Sequence, residues 1–458
     1  MARKVFLSFL GTSNYQVSKY YVDNTENFVE TRFVQIASCK FHCWDFDEND
    51  KVFIFTTDKA KSRNWYDDFE FNKPCSDEII KNKGLQTELV KNGIKPKISD
   101  ETAIWIPEES SEEKIWETFK IVFDHLEPED EIVFDITHGF RSSPMLLMVL
   151  INYAKFLKKI TVRKIVYGAF EARSNENETK LWDLTNFAVL QDWTNGANEF
   201  MNFGGTTILA EVANKEISII RNNSKGNGNE VKTYSSLINQ ISNLTESIST
   251  VRGYELYEGK RIEKINNLLS ELHQNNLFQP LTPILLELKT KLQSFKKDNI
   301  WNLFEIANFC IQNNQLQQAI TFLQEAIISF AIYKCNMNFA TSRNNNFVEI
   351  RELRELVSSV FNFKDNKENP NFIDEKWNWK NHWNKNHIEM FINDGFIQET
   401  SKIYSKIGKY RNDINHGGLI NPKNSKDFKK LLFDVYPEIV KIVKKYLELN
   451  VSNLKQQP

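Results

Sequence analysis

Residues 131–144 read EIVFDITHGFRSSP, and this stretch decides the fold of the amino-terminal region. The apolar run 132–136 is short and rich in Ile, Val and Phe, which is typical of a buried strand. Ser143 suits the N-cap of a helix and Pro144 suits its first turn, so the sequence predicts a helix directly afterwards. A strand, a polar loop and a helix in this order form a βα unit, with the loop at the carboxyl end of the strand.

The same pattern continues on both sides of this stretch. Three further short apolar runs predict strands at 5–10, 52–55 and 165–170. Segments with helical spacing separate the runs, at 77–91, 112–126 and 145–158. Alternating strands and helices indicate an α/β domain with a Rossmann-like, doubly wound parallel sheet.

The carboxyl-terminal region has a different pattern. After about residue 186 the extended apolar runs disappear, and Leu and Ile recur at helical spacing among Asn, Gln and Lys. The segment 221–230 has no apolar residue and two glycines, so it predicts a loop. We therefore expect an all-helical region, and the predicted domains are 1–205, 206–295 as a connector, and 296–458.

Composition limits the class of protein. The 458 residues are 41% hydrophobic and 26% charged, as in a soluble globular protein of two or three domains. Lys and Arg (58) nearly balance Asp and Glu (60), so nucleic acid binding would need a local basic patch. Five scattered cysteines, no amino-terminal leader and no apolar run of about 18 residues predict a cytoplasmic protein without a membrane span.

The loop after the first predicted strand is a candidate anion site. Gly11 allows a sharp turn, and the hydroxyls of Thr12 and Ser13 can face an anion together with backbone N–H groups. A dinucleotide fold would require the pattern G-x-G-x-x-G, and only one of those glycines is present. The alternative interpretation is an ordinary turn between a strand and a loop.

The loop within 135–144 is a second candidate. Arg141 can bind a phosphate with two hydrogen bonds, and Gly139 would let the backbone approach closely. The free N–H groups of the following helix favour an anion. Further hydrogen bonds are available from Thr137, His138 and Ser142. In the alternative interpretation, these groups satisfy the local backbone and the arginine is a surface charge.

The segment 411–418, RNDINHGG, is the third candidate. One apolar helical stripe precedes it, formed by Ile403, Ile407, Tyr410 and Ile414. Arg411, Asn412 and His416 then form a polar patch beside the stripe. An arginine can stabilise a pentavalent phosphate and a histidine can move protons, which is sufficient for RNA cleavage by its own 2′-OH without a metal. The alternative is a solvated last turn with the histidine near the helix dipole.

Two other groups are weaker. Cys39, His42 and Cys43 offer three metal ligands without a second pair at zinc spacing, so we expect no metal site. The tryptophans of the segment 377–383 could stack on bases but are more typical of half-buried helix anchors.

Taken together, the three candidate segments resemble one family. The chain is similar to the CRISPR-associated ribonucleases of type III systems, in which a CARF sensor domain is fused to a HEPN nuclease domain. The string DITHGFRS at 135–142 is the most specific part of the resemblance, and the spacing from Arg411 to His416 matches the nuclease motif in full. The region 186–299 matches no part of the family.

The resemblance implies a fold, an activator and a substrate. CARF domains of this family pair and bind cyclic tetra- or hexa-adenylate as an allosteric activator, with no other cofactor. Paired HEPN domains then cut single-stranded RNA without a metal, so a homodimer or an assembly of dimers is expected. The implied ligand-binding residues are Gly11, Thr12, Ser13, Thr137, His138, Gly139, Arg141 and Ser142. The implied catalytic residues are Arg411, Asn412 and His416.

Two alternatives of another class remain open. In the first, the helical domain binds a protein partner without cutting RNA, and the chain is a sensor or assembly protein. In the second, the α/β domain itself cleaves its cyclic ligand, with His138 or a neighbouring hydroxyl.

Overall fold

The structure is a computed structural model that describes residues 2–23, 27–72, 79–139, 143–223, 228–273, 282–340, 347–365, 385–420 and 422–454. The chain folds into two compact units, Met1–Val189 and Leu190–Pro458. The division lies inside the helix Thr185–Phe203, before the boundary expected near residue 205. The segments predicted as connector and second helical domain both belong to the second unit.

A mostly parallel sheet forms the centre of the first unit. The ten described strands are β1 Lys4–Leu10, β2 Ser18–Tyr21, β3 Val29–Thr31, β4 Lys51–Thr56, β5 Phe69–Asn72, β6 Ile79–Asn82, β7 Ala103–Trp105, β8 Glu131–Asp135, β9 Thr161–Gly168 and β10 Glu178–Asp183. Eight of them make one sheet in the order β3-β2-β10-β9-β8-β1-β4-β7, and β5 pairs with β6 in a separate hairpin.

The strand directions confirm the predicted Rossmann-like sheet in its middle. Strands β9, β8, β1, β4 and β7 run parallel to one another. At one edge β10 is antiparallel to β9, and β3 is antiparallel to β2, which the sequence did not predict. These edge strands are short and partly exposed, so they lack the continuous apolar runs of the central strands.

The central strand β1 explains why its sequence is apolar without alternation. Phe6 and Leu10 belong to the core cluster on one face of the sheet, while Val5, Leu7 and Phe9 belong to the cluster on the other face. Helices therefore cover both faces of this strand, as expected for a doubly wound sheet.

Five described α-helices belong wholly to the first unit. They are α1 Val34–His42, α2 Asp58–Ala60, α3 Leu85–Lys91, α4 Glu112–Asp124 and α5 Ser143–Lys158, and a π-helical turn, Lys61–Trp65, follows α2. The helix predicted over 77–91 is wrong in its first part, because β6 occupies Ile79–Asn82 and pairs with β5. Gly84 then precedes α3 as its N-cap. The predicted strand 165–170 also ends early, at Gly168.

The described residues of the second unit contain helices and no strand. The helices are α6 Thr185–Phe203, which begins in the first unit, α7 Thr207–Asn223, α8 Gly228–Ser249, α9 Gly253–Glu258, α10 Lys260–His273, α11 Thr282–Leu292, α12 Asn302–Gln312, α13 Leu316–Lys334, α14 Phe347–Asp365, α15 Lys385–Ile392, α16 Gly395–Asn415 and α17 Ser425–Leu454. The predicted loop 221–230 is shorter than expected, because α7 extends to Asn223 and α8 begins at Gly228.

The helical character of the second unit confirms the predicted fold class for the carboxyl-terminal region. Its core includes α13, of which twelve side chains from Ala319 to Ile332 are buried. Within the described residues, no helix is both long enough and apolar enough to cross a membrane.

Candidate functional site

The first candidate site lies at the carboxyl ends of β1 and β8. These strands are neighbours in the sheet. After β1 the chain first forms the edge strands β2 and β3 and then reaches the parallel strand β4 on one side of β1, whereas after β8 it reaches β9 on the other side. With respect to the parallel strands, their carboxyl ends therefore form a topological switch point, the place where α/β sheets usually bind a ligand in a crevice. Both loops predicted from the sequence as anion sites begin here.

The loop after β8 is anchored through a buried carboxylate. Asp135 is fully buried, and its Oδ1 accepts the Thr137 N–H at 2.9 Å while its Oδ2 accepts the Ser38 hydroxyl at 3.0 Å. Burial raises the pKa of this carboxyl. Thr137 Oγ1 in turn accepts the N–H of Gly168 at 2.7 Å. The helix α1 and the strand β9 thus hold the start of this loop.

The loop after β1 is anchored by side chains that the sequence did not indicate. The N–H of Gly11 donates to the Tyr15 hydroxyl at 2.7 Å. Asn64, in the π-helical turn, donates from Nδ2 to the carbonyls of Gly11 and Ser13 at 2.9 and 3.0 Å. Arg32 donates from Nη2 to Asn64 Oδ1 at 2.9 Å. A Cβ at residue 11 would lie 2.9 Å from the Tyr15 hydroxyl, which explains the glycine.

The two loops meet through a ring contact. The centroids of Tyr15 and His138 are 4.5 Å apart, with the ring planes inclined by 38°. Burial lowers the pKa of His138 to about 4, so its imidazole is neutral at pH 7. Burial raises the pKa of the Tyr15 hydroxyl, which therefore stays protonated. At the strand ends these two side chains therefore present aromatic rings with polar but uncharged groups.

The remaining predicted residues of this site differ in exposure. Thr12 is partly buried, whereas Ser13 and Gly139 are exposed. Gly139 has a φ of +154°, a conformation that favours glycine. Arg141 and Ser142 lie outside the described residues.

The second candidate site lies in the helical unit, on α16. Asp394 caps this helix by accepting the Ile397 N–H at 3.1 Å, and Gly417 and Gly418 follow its end with φ of +62° and +66°. The predicted helix ending at the glycine pair is therefore present. Of the predicted apolar stripe, Ile403 and Ile407 are buried while Tyr410 and Ile414 are half-buried.

Arg411 is held by two polar side chains of α13. Its Nη1 donates to Gln324 Oε1 at 3.2 Å and lies 3.4 Å from Glu325 Oε1. Arg411 and Asn412 both line a cleft of about 1130 Å³ in the helical unit. The guanidinium is thus oriented by the fold and still reaches a space that can hold a ligand.

His416 is placed differently from Arg411. It is the C-cap residue of α16, its N–H donates to the Asn412 carbonyl at 3.0 Å, and its side chain is exposed. It is absent from the lining of the cleft. Asp413 is buried, and its Oδ1 has no hydrogen-bond partner within the described part of the chain. Within one chain the structure brings Arg411 and Asn412 to the cleft and leaves His416 at the exposed helix end.

The sequence carried a weak signal for some of the anchoring residues. Gln324 and Glu325 are a polar pair inside the long apolar stretch of α13, and a polar pair in such a stretch requires partners. Tyr15 belongs to the loop after the first strand, although nothing in its spacing indicates a contact with Gly11. Asn64 and Ser38 carry no local signal, because only the sheet topology brings them to these loops.

The cluster of Cys39, His42 and Cys43 forms no metal site among the described residues. Cys39 and Cys43 are buried free thiols, and burial lowers the pKa of His42 to about 4. Across the described residues, no group of three or more His, Cys, Asp or Glu side chains is arranged to hold a metal ion. The tryptophan segment 377–383 lies outside the described ranges.

Two comparisons with known proteins found similarity, and the family match lies in the first unit. Residues 5–171 match the family model for the CARF domain of the CRISPR system endoribonuclease Csx1. A segment of 143 residues is 28% identical to CRISPR-associated protein MJ1674 of Methanocaldococcus jannaschii. That alignment covers 28% of this chain and 23% of the relative, so the chain spans less than a quarter of the relative it matches. The family match contains both strand-end loops and ends before the helical unit.

Proposed function

We propose that the first unit of this chain is a CARF domain and that the chain is an endoribonuclease of a type III CRISPR system, activated by cyclic oligoadenylate. The match of residues 5–171 to a CARF family model and the similarity to a CRISPR-associated protein support this proposal. The activator binds at the strand-end crevice of paired CARF domains. The helical unit then acts as a HEPN nuclease that cuts single-stranded RNA without a metal.

The observation that carries the proposal is the pair of loops joined by Tyr15 and His138 at the switch point. A cyclic oligoadenylate presents adenine rings and one phosphate for each nucleotide. Aromatic rings suit the adenines, while the turn at Gly11 and the hydroxyls of Thr12 and Ser13 suit a phosphate. The neutral imidazole of His138 can hydrogen-bond to the ligand without a buried charge.

A second apolar face on α5 supports a dimer. One face of this helix packs on the sheet through Leu147, Leu150, Ile151 and Ala154, all at most 1% exposed. A different stripe remains exposed, formed by Met145 (79%), Val149 (53%), Tyr153 (47%) and Phe156 (73%). Apolar faces on both sides of a helix favour burial on both sides. Because α5 follows the β8 loop directly, pairing along this stripe would bring the loops of two protomers close together.

The chemistry proposed for the helical unit needs three groups. Arg411 stabilises the pentavalent phosphate, His416 moves the proton of the 2′-OH, and Asn412 orients them. The products are a 2′,3′-cyclic phosphate and a 5′-hydroxyl. Since His416 is exposed at the helix end while Arg411 lines the cleft, a site completed by the partner's copy of α16 accounts for both positions.

The proposal is tested by incubating the full chain with labelled single-stranded RNA in EDTA, with and without cyclic tetra- or hexa-adenylate. We expect cleavage only when one of the two rings is present. Ligand binding without RNA cleavage would favour a sensor or assembly protein, and loss of the ring itself would favour a ligand-cleaving enzyme. Cleavage that EDTA abolishes and magnesium restores would contradict the metal-free mechanism.

A further inference from the structure

The cleft in the helical unit is far larger than the catalytic groups require. Its volume is about 1130 Å³, above the range of about 300–1000 Å³ that is usual for a small-molecule pocket. Five helices line it: α9, α12, α13, α14 and α16. Arg411 and Asn412 occupy only part of this lining, so the rest of the cleft has room for a neighbouring part of the substrate.

A continuous chain of polar contacts crosses the cleft from Arg411. Glu325 lies 3.4 Å from Arg411 through Oε1 and accepts Arg354 Nη2 at 2.6 Å through Oε2. Arg354 also donates from Nη1 to the Ser329 hydroxyl at 3.0 Å and to the Phe339 carbonyl at 2.9 Å. The carboxylate of Glu325 thus joins two arginines, and the second arginine leads to Phe339.

The far end of this chain of contacts is aromatic. The Phe339 and Tyr257 rings meet edge to face with centroids 4.9 Å apart, and Tyr254 lies 6.4 Å from Tyr257. All three residues line the cleft, and both tyrosines are only half-buried. Aromatic rings that remain accessible in a polar cleft are suited to stack on a planar base.

The charges along the cleft favour an anion. Its lining includes four cationic side chains, Arg351, Arg354, Lys409 and Arg411, and two carboxylates, Glu325 and Glu355. The lining is therefore positive by two charges, although the whole chain has a formal net charge of −2. Arg351 and Lys409 are exposed. Arg351 pairs with Glu355 at 3.0 Å on the same helix, and because exposed pairs of this kind contribute little, Arg351 can exchange this contact for a phosphate. Cationic groups beside accessible aromatic rings are the usual combination in proteins that bind single-stranded nucleic acid.

We propose that this cleft binds a nucleotide of single-stranded RNA next to the cut, with its base against Tyr257 and its phosphate near Arg351 or Lys409. The inference rests on the proposed function for the position of the cut, and it adds a base-binding subsite at a distance from the catalytic groups. Glu325 and Arg354 position Arg411 relative to this subsite. The cleft would then select which bond of the RNA reaches Arg411.

The test separates binding from cutting. Binding of a short RNA with 2′-O-methyl riboses, which cannot be cleaved through the 2′-OH, is measured by fluorescence anisotropy with saturating cyclic oligoadenylate. We expect Tyr257→Leu to weaken binding about tenfold, as is typical for the loss of one stacked base. Tyr257→Phe keeps the ring and should bind like the unmodified chain. Phe433→Leu removes a half-exposed ring outside the cleft (47% exposed) and serves as the matched control.

A salt titration provides a second measurement. Arg351→Ala should weaken RNA binding at low salt and reduce the salt dependence by about the contribution of one phosphate contact. Equal binding by Tyr257→Leu and Tyr257→Phe, or an unchanged salt dependence in Arg351→Ala, would overturn the subsite. So would loss of RNA binding in Phe433→Leu to the same extent as in Tyr257→Leu.

The two proposals can fail separately. If the chain binds the uncleavable RNA through Tyr257 but never cuts ordinary RNA, the subsite stands and the nuclease proposal fails. If ordinary RNA is cut and Tyr257→Leu leaves both its KM and the cleavage positions unchanged, the nuclease proposal stands and the subsite fails. If unlabelled cyclic tetra-adenylate displaces the RNA from the cleft in an Arg351-dependent manner, the cleft binds the activator and the subsite proposal is wrong.

Discussion

The strand-end crevice and the helical cleft differ in how much of each candidate site a single chain holds in place. In the crevice, hydrogen bonds fix both loops, through Asp135 and Thr137 on one side and Asn64 and Gly11 on the other. In the helical unit, Arg411 is anchored in a cleft while His416 is exposed at the helix end. This difference supports the proposal that one protomer preforms its part of the sensing site, whereas the proposed cutting site is completed by a second copy.

The physical cause lies in the two kinds of scaffold. Parallel strands end at the same edge, so loops that are distant in sequence, after residues 10 and 135, become neighbours. Along one α-helix, residues 411 and 416 differ by about 500° of rotation and so project about 140° apart. A single helix therefore cannot direct both side chains to one phosphate as closely as two helices from paired protomers can.

The largest expected effect concerns His416, which distinguishes the two sites most directly. His416→Ala should lower RNA cleavage by several orders of magnitude, because it removes the group proposed to move the proton. Its fold and its affinity for cyclic oligoadenylate should be unchanged, since the side chain is exposed and belongs to the other unit. Single-turnover cleavage and ligand binding are measured in parallel. Near-normal cleavage would show that His416 is not part of the cutting site.

The next largest effect concerns the proposed dimer. Phe156→Asp places a charge in the exposed stripe of α5 and should weaken self-association about a hundredfold, with a parallel loss of RNA cleavage. Phe187→Asp is the control, because Phe187 is also exposed in the first unit (62%) but is not part of the stripe. Light scattering over a dilution series reports the mass. A Phe156→Asp chain that remains dimeric would exclude this stripe as the contact.

A smaller effect is expected from the sensing loop. The sequence places Arg141 in the candidate phosphate-binding loop after β8. A charge-assisted contact between an arginine and a phosphate contributes about 1.5–3 kcal/mol. Arg141→Ala should raise the activator concentration for half-maximal cleavage tenfold to a hundredfold, with a nearly normal rate at saturation. Arg411→Ala is titrated beside it and should bind ligand normally while cutting poorly. If Arg141→Ala bound ligand normally, the division into sensing and cutting sites would be wrong.

The smallest effect is a pH dependence of stability. His42 and His138 have pKa values lowered to about 4 by burial, against about 6.5 in the unfolded chain. Between these values the unfolded state binds more protons than the folded state, so stability falls as the pH drops from 6.5 toward 4. We expect the melting temperature to fall by a few degrees between pH 7 and pH 5.

The variant His138→Gln isolates one of the two histidines. It should reduce the difference in melting temperature between pH 7 and pH 5, because a glutamine does not titrate. Asp135 works in the opposite direction, since burial raises its pKa, and it is left intact in both chains. An equally large pH difference in His138→Gln would indicate that the imidazole is already accessible to protons in the folded state.

The sequence predicted the central strands of the sheet because they are buried on both faces and therefore continuously apolar, as in β1 and β8. It did not predict the edge strands β2, β3 and β10, whose residues are partly exposed. It assigned part of β6 to a helix, because a strand of four residues has too short a pattern to distinguish the two. The sequence also did not predict that Ser38, Asn64 and Tyr15 anchor the two strand-end loops.

The sequence by itself determined the alternation of the central strands with helices, the two strand-end loops and the motif from Arg411 to His416, because each depends on neighbouring residues. Tertiary structure alone decided which loops touch, as Tyr15 and His138 do, and which side chain holds Arg411. Those contacts join residues 123 and 87 positions apart along the chain, so no local pattern encodes them. They exist because sheet topology and helix packing bring distant segments into contact.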